Sequence, residues 1–146
     1  RTCGRNRSVP VFKEIMSEQL AAQKRVLIVD DNREAAEMLQ MLLDLHGYAV
    51  EVAHTGEEGL ALNARFCPHV VCSDINMPGM SGYEFAQQVR SARAGRDQFL
   101  IAITGGGDDM MERILGAGFD QRLTKPCSLD DILAPIDIFF ASASRQ

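Results

Sequence analysis

Two adjacent acids, Asp30 and Asp31, close the apolar run Val26-Leu27-Ile28-Val29, and a third, Asp74, closes a run containing Val70, Val71 and Cys72. Thr104 follows Leu100-Ile101-Ala102-Ile103, and Lys125 precedes Pro126. Brought together, these side chains have a definite chemistry. Carboxylates packed together repel unless a cation intervenes, and several carboxylate oxygens with water suit Mg2+ better than Zn2+. Beside such a cation an ionised Asp74 could attack an electrophilic phosphorus. Lys125 would offer positive charge, and Thr104 a hydroxyl donor, to the transferred phosphoryl group. Phosphoryl transfer asks for little more than in-line positioning and charge stabilisation.

Whether these residues meet depends on the elements that carry them. A short apolar run ended by Asp74-Ile75-Asn76-Met77-Pro78-Gly79 reads as a buried strand that stops where the acid begins. The same reasoning predicts strands at 26–29, 48–53, 69–73, 100–103 and 119–123. Between them, Asn32 offers a helix N-cap, and Leu39, Leu42, Leu43 and His46 repeat at helical spacing until Gly47. Thr55 with Glu58, and Ser81 with Glu84, read as capping boxes opening helices to about Phe66 and Ala92. A shorter helix is predicted at 108–117, and Ser128 opens a last one to about Ala141.

Alternation of β and α elements predicts an α/β fold, a five-stranded parallel sheet with helices on both faces. Right-handed crossovers leave few topologies, and the flavodoxin-like order 2-1-3-4-5 is the expected one. In that order the first and third strands are neighbours. Asp30, Asp31, Asp74, Thr104 and Lys125 then share one edge of the sheet.

A chain of 146 residues has room for one core. Residues 1–24 read as an N-terminal extension or short helix (11–23), with Met16 a candidate native start. Residues 25–141 read as the domain and 142–146 as a tail. The net charge of −5 is uneven: residues 1–24 carry five basic and two acidic side chains, residues 25–146 ten and eighteen. So acidic a domain argues against nucleic acid as a partner. No apolar run approaches the roughly 20 residues that span a bilayer, so no membrane partner and a cytoplasmic location are expected. Cys3, Cys67, Cys72 and Cys127 lack metal-ligand spacing and are expected to be reduced.

Singly, each motif has a plainer reading: helix caps for Asp30, Asp31 and Asn32, a turn for Asp74, a loop for Thr104, a surface charge for Lys125. Their joint placement at the ends of four strands argues against coincidence. Over roughly residues 24–141 the chain resembles the response-regulator receiver domain (CheY-like) of two-component signalling. The resemblance rests on Val26-Leu27-Ile28-Val29-Asp30-Asp31-Asn32, the stretch from Asp74 through Met80-Ser81-Gly82, Thr104-Gly105 and Lys125-Pro126.

The resemblance implies that Asp74 is a phosphoacceptor served by a sensor histidine kinase or phosphotransfer protein. It implies Mg2+ bound directly by Asp31, Asp74 and the backbone carbonyl of Asn76, with Asp30 acting through water. It places Thr104 and Lys125 on the phosphoryl oxygens, and makes the Lys125–Pro126 bond cis. It also implies a signalling module rather than a metabolic enzyme, either stand-alone or excised from a hybrid histidine kinase. Its downstream protein partner would use the fourth helix, fifth strand and fifth helix. The rival from another class is a haloacid-dehalogenase-like aspartyl phosphatase, but that family needs a second Asp where this chain has Asn76. A flavodoxin-like cofactor binder is disfavoured by the acid pair, which would repel a flavin phosphate.

One position departs from the family pattern. Arg122 stands where receivers usually carry an aromatic or His switch ring, and its charge cannot enter the same apolar slot unpaired. His46, His54 and His69 show no ligand spacing and are read as structural, and Met77, Met80, Met110 and Met111 as core or turn filling. Gly105-Gly106-Gly107 gives the loop after Thr104 high backbone entropy. This loop is expected to be mobile without phosphate and ordered with it. Amide hydrogen exchange across 105–107 should slow when a beryllofluoride phosphoryl mimic is added; equal exchange would contradict this.

Overall fold

The computed structural model describes residues 23–92, 97–105 and 111–143. Among them the strands are β1 Arg25–Val29, β2 Ala49–Ala53, β3 Val70–Asp74, β4 Phe99–Thr104 and β5 Gln121–Thr124. They alternate with helices α1 Arg33–Leu45, α2 Gly56–Phe66, α3 Gly82–Ser91, α4 Met111–Ala117 and α5 Leu129–Ala143. All neighbouring strands pair in parallel, in the order β2-β1-β3-β4-β5.

The two-residue period of a strand divides the sheet between two cores. Leu27, Val29, Val71, Leu100 and Ala102 pack with Phe85, Ala86 and Val89 of α3 and Ile114 of α4. Val26, Ile28, Val70, Cys72 and Ile101 pack on the opposite face with Leu43 of α1 and Ile132, Ile136 and Phe140 of α5. Helices therefore cover both faces, which is why the central strands read as unbroken apolar runs.

Most predicted element boundaries hold to within two residues. The fifth strand starts at Gln121 rather than 119. Phe119 is buried but belongs to the turn after α4, where Gly118 takes a positive φ of 116°. Its apolar side chain mimics a strand residue in the sequence. Tyr48 likewise lies outside β2, its N–H donating to Leu43 O at the end of α1. The helix expected at 11–23 falls almost wholly outside the described residues, as do Gly106, Gly107 and the start of the helix expected at 108–117.

Caps set the helix starts. Asn32 accepts from Ala35 N, and Ser81 and Glu84 form a reciprocal capping box. At α2 the Thr55 side chain accepts from Glu58 N, but the return bond runs from His54 N to Glu58 Oε1 (2.6 Å). The cysteine expectation needs correcting. Cys72 and Cys127 are free, whereas Cys67 is disulfide-bonded. Cys67 is only partly buried at the left-handed end of α2, so another thiol can reach it.

The backbone after Asp74 leaves no room for a side chain at Gly82. Its N–H donates to Ile75 O (2.8 Å), and a Cβ there would lie 2.3 Å from Asp74 O and 2.7 Å from Ile75 Cα. Gly82→Ala must displace this loop and is expected to cost about 1–3 kcal/mol. Urea denaturation should show the loss; an unchanged midpoint would mean that the loop adapts freely.

Candidate functional site

β1 and β3 are direct neighbours, with Val29 opposite Ser73 in the register. Asp30 therefore leaves the sheet beside Asp74, the last residue of β3. Carboxylate oxygens of Asp30, Asp31 and Asp74 lie within 4.8 Å of one another. β4 and β5 bring the other two residues to this edge. Thr104 is paired with Thr124 and buried, and its carbonyl accepts from Lys125 N (2.7 Å). The Lys125–Pro126 bond is cis, and Lys125 Nζ lies 3.4 Å from Asp74 Oδ2.

Each acid is held differently. Asp74 is 7 % exposed, and its Oδ1 accepts from Ile75 N (2.9 Å). Ile75 and Met77 are buried and anchor the loop, while Asn76 between them is exposed. Asp30 Oδ1 accepts from Asn32 N (2.9 Å), so the plainer turn-and-cap reading holds for Asp30 and Asn32 alongside the clustering. Asp31 is exposed.

Burial pushes the Asp74 carboxyl above the usual aspartate range, and the neighbouring Asp30 adds to the rise. Lys125, by its charge and hydrogen bond, and the Ile75 amide pull the other way without cancelling it. The cluster thus holds more negative charge than Lys125 offsets. Its donors are all hard oxygens, a set that fits Mg2+.

Arg122 is exposed on β5, opposite Ala102 of β4. Of the histidines, His46 just past α1 contacts Leu42 O through Nδ1, and His69 accepts from Arg25 N (3.2 Å). His54 differs: its Nδ1 lies 3.1 Å from the backbone carbonyl of Asp30. Sequence reasoning missed this link. The available signal was its place just past β2, at the same edge as the acids.

Comparison with known proteins agrees with this architecture. The family model described as response regulator receiver domain matches residues 26–137. Response regulator MprA of Mycobacterium avium is 39% identical over 112 residues, covering 75% of this chain and 48% of its own length. Its Mycobacterium leprae counterpart is 40% identical over 114 residues, covering 77% and 49%. The chain thus spans about half the length of these curated relatives. A CheY-like receiver domain protein from Methanospirillum hungatei is 31% identical with a TM-score of 0.75, covering 85% of this chain and 98% of that one. The receiver domain of a histidine kinase from Syntrophus aciditrophicus is 27% identical with a TM-score of 0.77, covering 84% and 94%.

The raised Asp74 pKa sets a pH dependence for the metal-free protein. An unfolded aspartate titrates near pH ~3.9. Below that value both states hold the proton and the group is neutral in its effect. Between that value and the higher folded one the unfolded state ionises while the folded state keeps its proton, so stability falls as pH rises and levels off above the folded value. With a chelator at pH 7, Asp74→Asn should therefore raise the thermal midpoint, each kcal/mol regained giving about 3–5 °C. The gain should vanish as pH falls toward about 4. An unchanged or lowered midpoint at pH 7 would contradict the assignment.

Proposed function

The chain belongs to the response regulator receiver domain family, and from that premise we propose that it accepts a phosphoryl group on Asp74 from a histidine kinase or phosphotransfer protein. The observation that carries this reading is the carboxylate cluster, with Lys125 Nζ 3.4 Å from Asp74 at the same sheet edge. Receiver domains of this family are signalling modules of two-component systems. The reading makes this one a switch in the cytoplasm, acting on a protein surface rather than on nucleic acid or membrane. Among the described residues no helix is long and apolar enough to cross a membrane.

In the proposed step an Asp74 carboxylate oxygen attacks phosphorus in line, and the bond from phosphorus to the donor's imidazole nitrogen breaks. Burial keeps Asp74 clear of bulk water, and the Ile75 amide fixes one of its oxygens. Lys125 exchanges its contact with the carboxylate for one with the phosphoryl oxygens. The Thr104 hydroxyl donates to the same group. Asp31, Asp74 and the Asn76 carbonyl would hold Mg2+, with Asp30 acting through water. When bound, the ion would neutralise the crowded carboxylates and the charge on the phosphoryl oxygens.

Phosphorylation then shifts a pre-existing equilibrium, and a downstream protein reads the face built from α4, β5 and α5. Met111 and Leu115 of α4 and Ile138 of α5 are exposed apolar side chains there.

Incubation with acetyl phosphate and Mg2+ should add one phosphoryl group by intact mass, and Asp74→Asn should abolish the adduct. Rapid turnover of phosphomonoesters without an adduct would instead favour an aspartyl phosphatase.

A further inference from the structure

Asp30 has both backbone polar groups tied to the end of β2. Its N–H donates to Ala53 O (3.0 Å), continuing the ladder, and its carbonyl meets His54 Nδ1 at 3.1 Å. A carbonyl only accepts, so Nδ1 must carry the proton. The histidine is itself fixed from behind. Its backbone N–H donates to Glu58 Oε1, while Thr55 Oγ accepts from Glu58 N, so the first turn of α2 holds residue 54 in place.

The β1–α1 loop carries both Asp30 and Asp31, and it needs such a support. Asp31 is exposed, with its carboxylate drawn toward two others of the same charge. Repulsion within the cluster favours swinging this loop outward when no cation is present. The Asn32 amide bonded to Asp30 Oδ1 ties the loop to itself, whereas His54 ties it to another element.

We propose that His54 is a positioning residue, holding the Asp30 carbonyl so that the acid pair stays aimed at Asp74 for cation binding. This inference rests on the phosphoacceptor reading of the site. A hydrogen bond to the backbone of a metal-site loop acts as other outer-shell supports do, whose removal costs about 10-fold or more in metal affinity. The role needs a donor at the Nδ1 position rather than an imidazole as such. Asparagine can supply one, since its amide nitrogen also hangs from Cγ.

The test compares wild type, His54→Leu and His54→Asn. Calorimetric titration with Mg2+ alone should show about 10-fold weaker binding for His54→Leu and near wild-type binding for His54→Asn. In metal-free protein, amide exchange at Asn32 should quicken in His54→Leu only. Acetyl phosphate labelling of His54→Leu should need more Mg2+ yet reach a similar rate at saturation. Equal Mg2+ affinity in His54→Leu and wild type overturns the proposal, as does a loss that His54→Asn fails to restore. If wild type takes no phosphoryl group, the phosphoacceptor reading fails, while the Mg2+ titrations still decide the role of His54.

Discussion

The structure depends on one electrostatic constraint: three carboxylates are held within 4.8 Å of one another at the edge of a sheet. Left to themselves such groups separate or protonate. Here two elements fix them, β3 holding Asp74 as its last residue and the turn that starts α1 carrying the acid pair. The parallel order places β1 beside β3, so the crowding follows from the topology rather than from any flexible reach. Lys125 arrives from the far side, after β5, and offsets part of the charge.

Much of the remaining packing serves to hold this arrangement. Ile75 and Met77 bury themselves on either side of Asn76, so the loop after Asp74 is anchored at two points. Gly82 admits the backbone of Asp74 and Ile75 at a distance no side chain would allow. Gly56 does the same for Met80, whose sulfur would lie 2.7 Å from a Cβ there. The energy that resists carboxylate repulsion is thus distributed over apolar burial and close backbone contacts.

The strand order and the edge that bears the site were legible because central strands of a covered parallel sheet are apolar on both faces and end abruptly. Three such runs, in β1, β3 and β4, each stop at a polar residue, while the edge strand β5 is half-exposed and mixed. Where the pattern misled, the reason was local. Phe119 is as apolar as a strand residue, yet it plugs the core from a turn shaped by Gly118. Cys67 gave no spacing signal for a disulfide, because pairing depends on distance in the fold and not on sequence separation. His54 was missed for a similar reason: its partner is a backbone carbonyl 24 positions away, which has no side-chain signature, and only its place just past β2 pointed to the site.

The central claim is that the buried, charge-crowded carboxylate is the group that carries phosphate. An acyl phosphate on aspartate is reduced by borohydride to homoserine, which marks the modified position permanently. The protein should be treated with acetyl phosphate and Mg2+, trapped with borohydride and mapped by peptide mass spectrometry. The account predicts homoserine at position 74 and at no other aspartate. Homoserine at position 30 or 31, or at none, would contradict it.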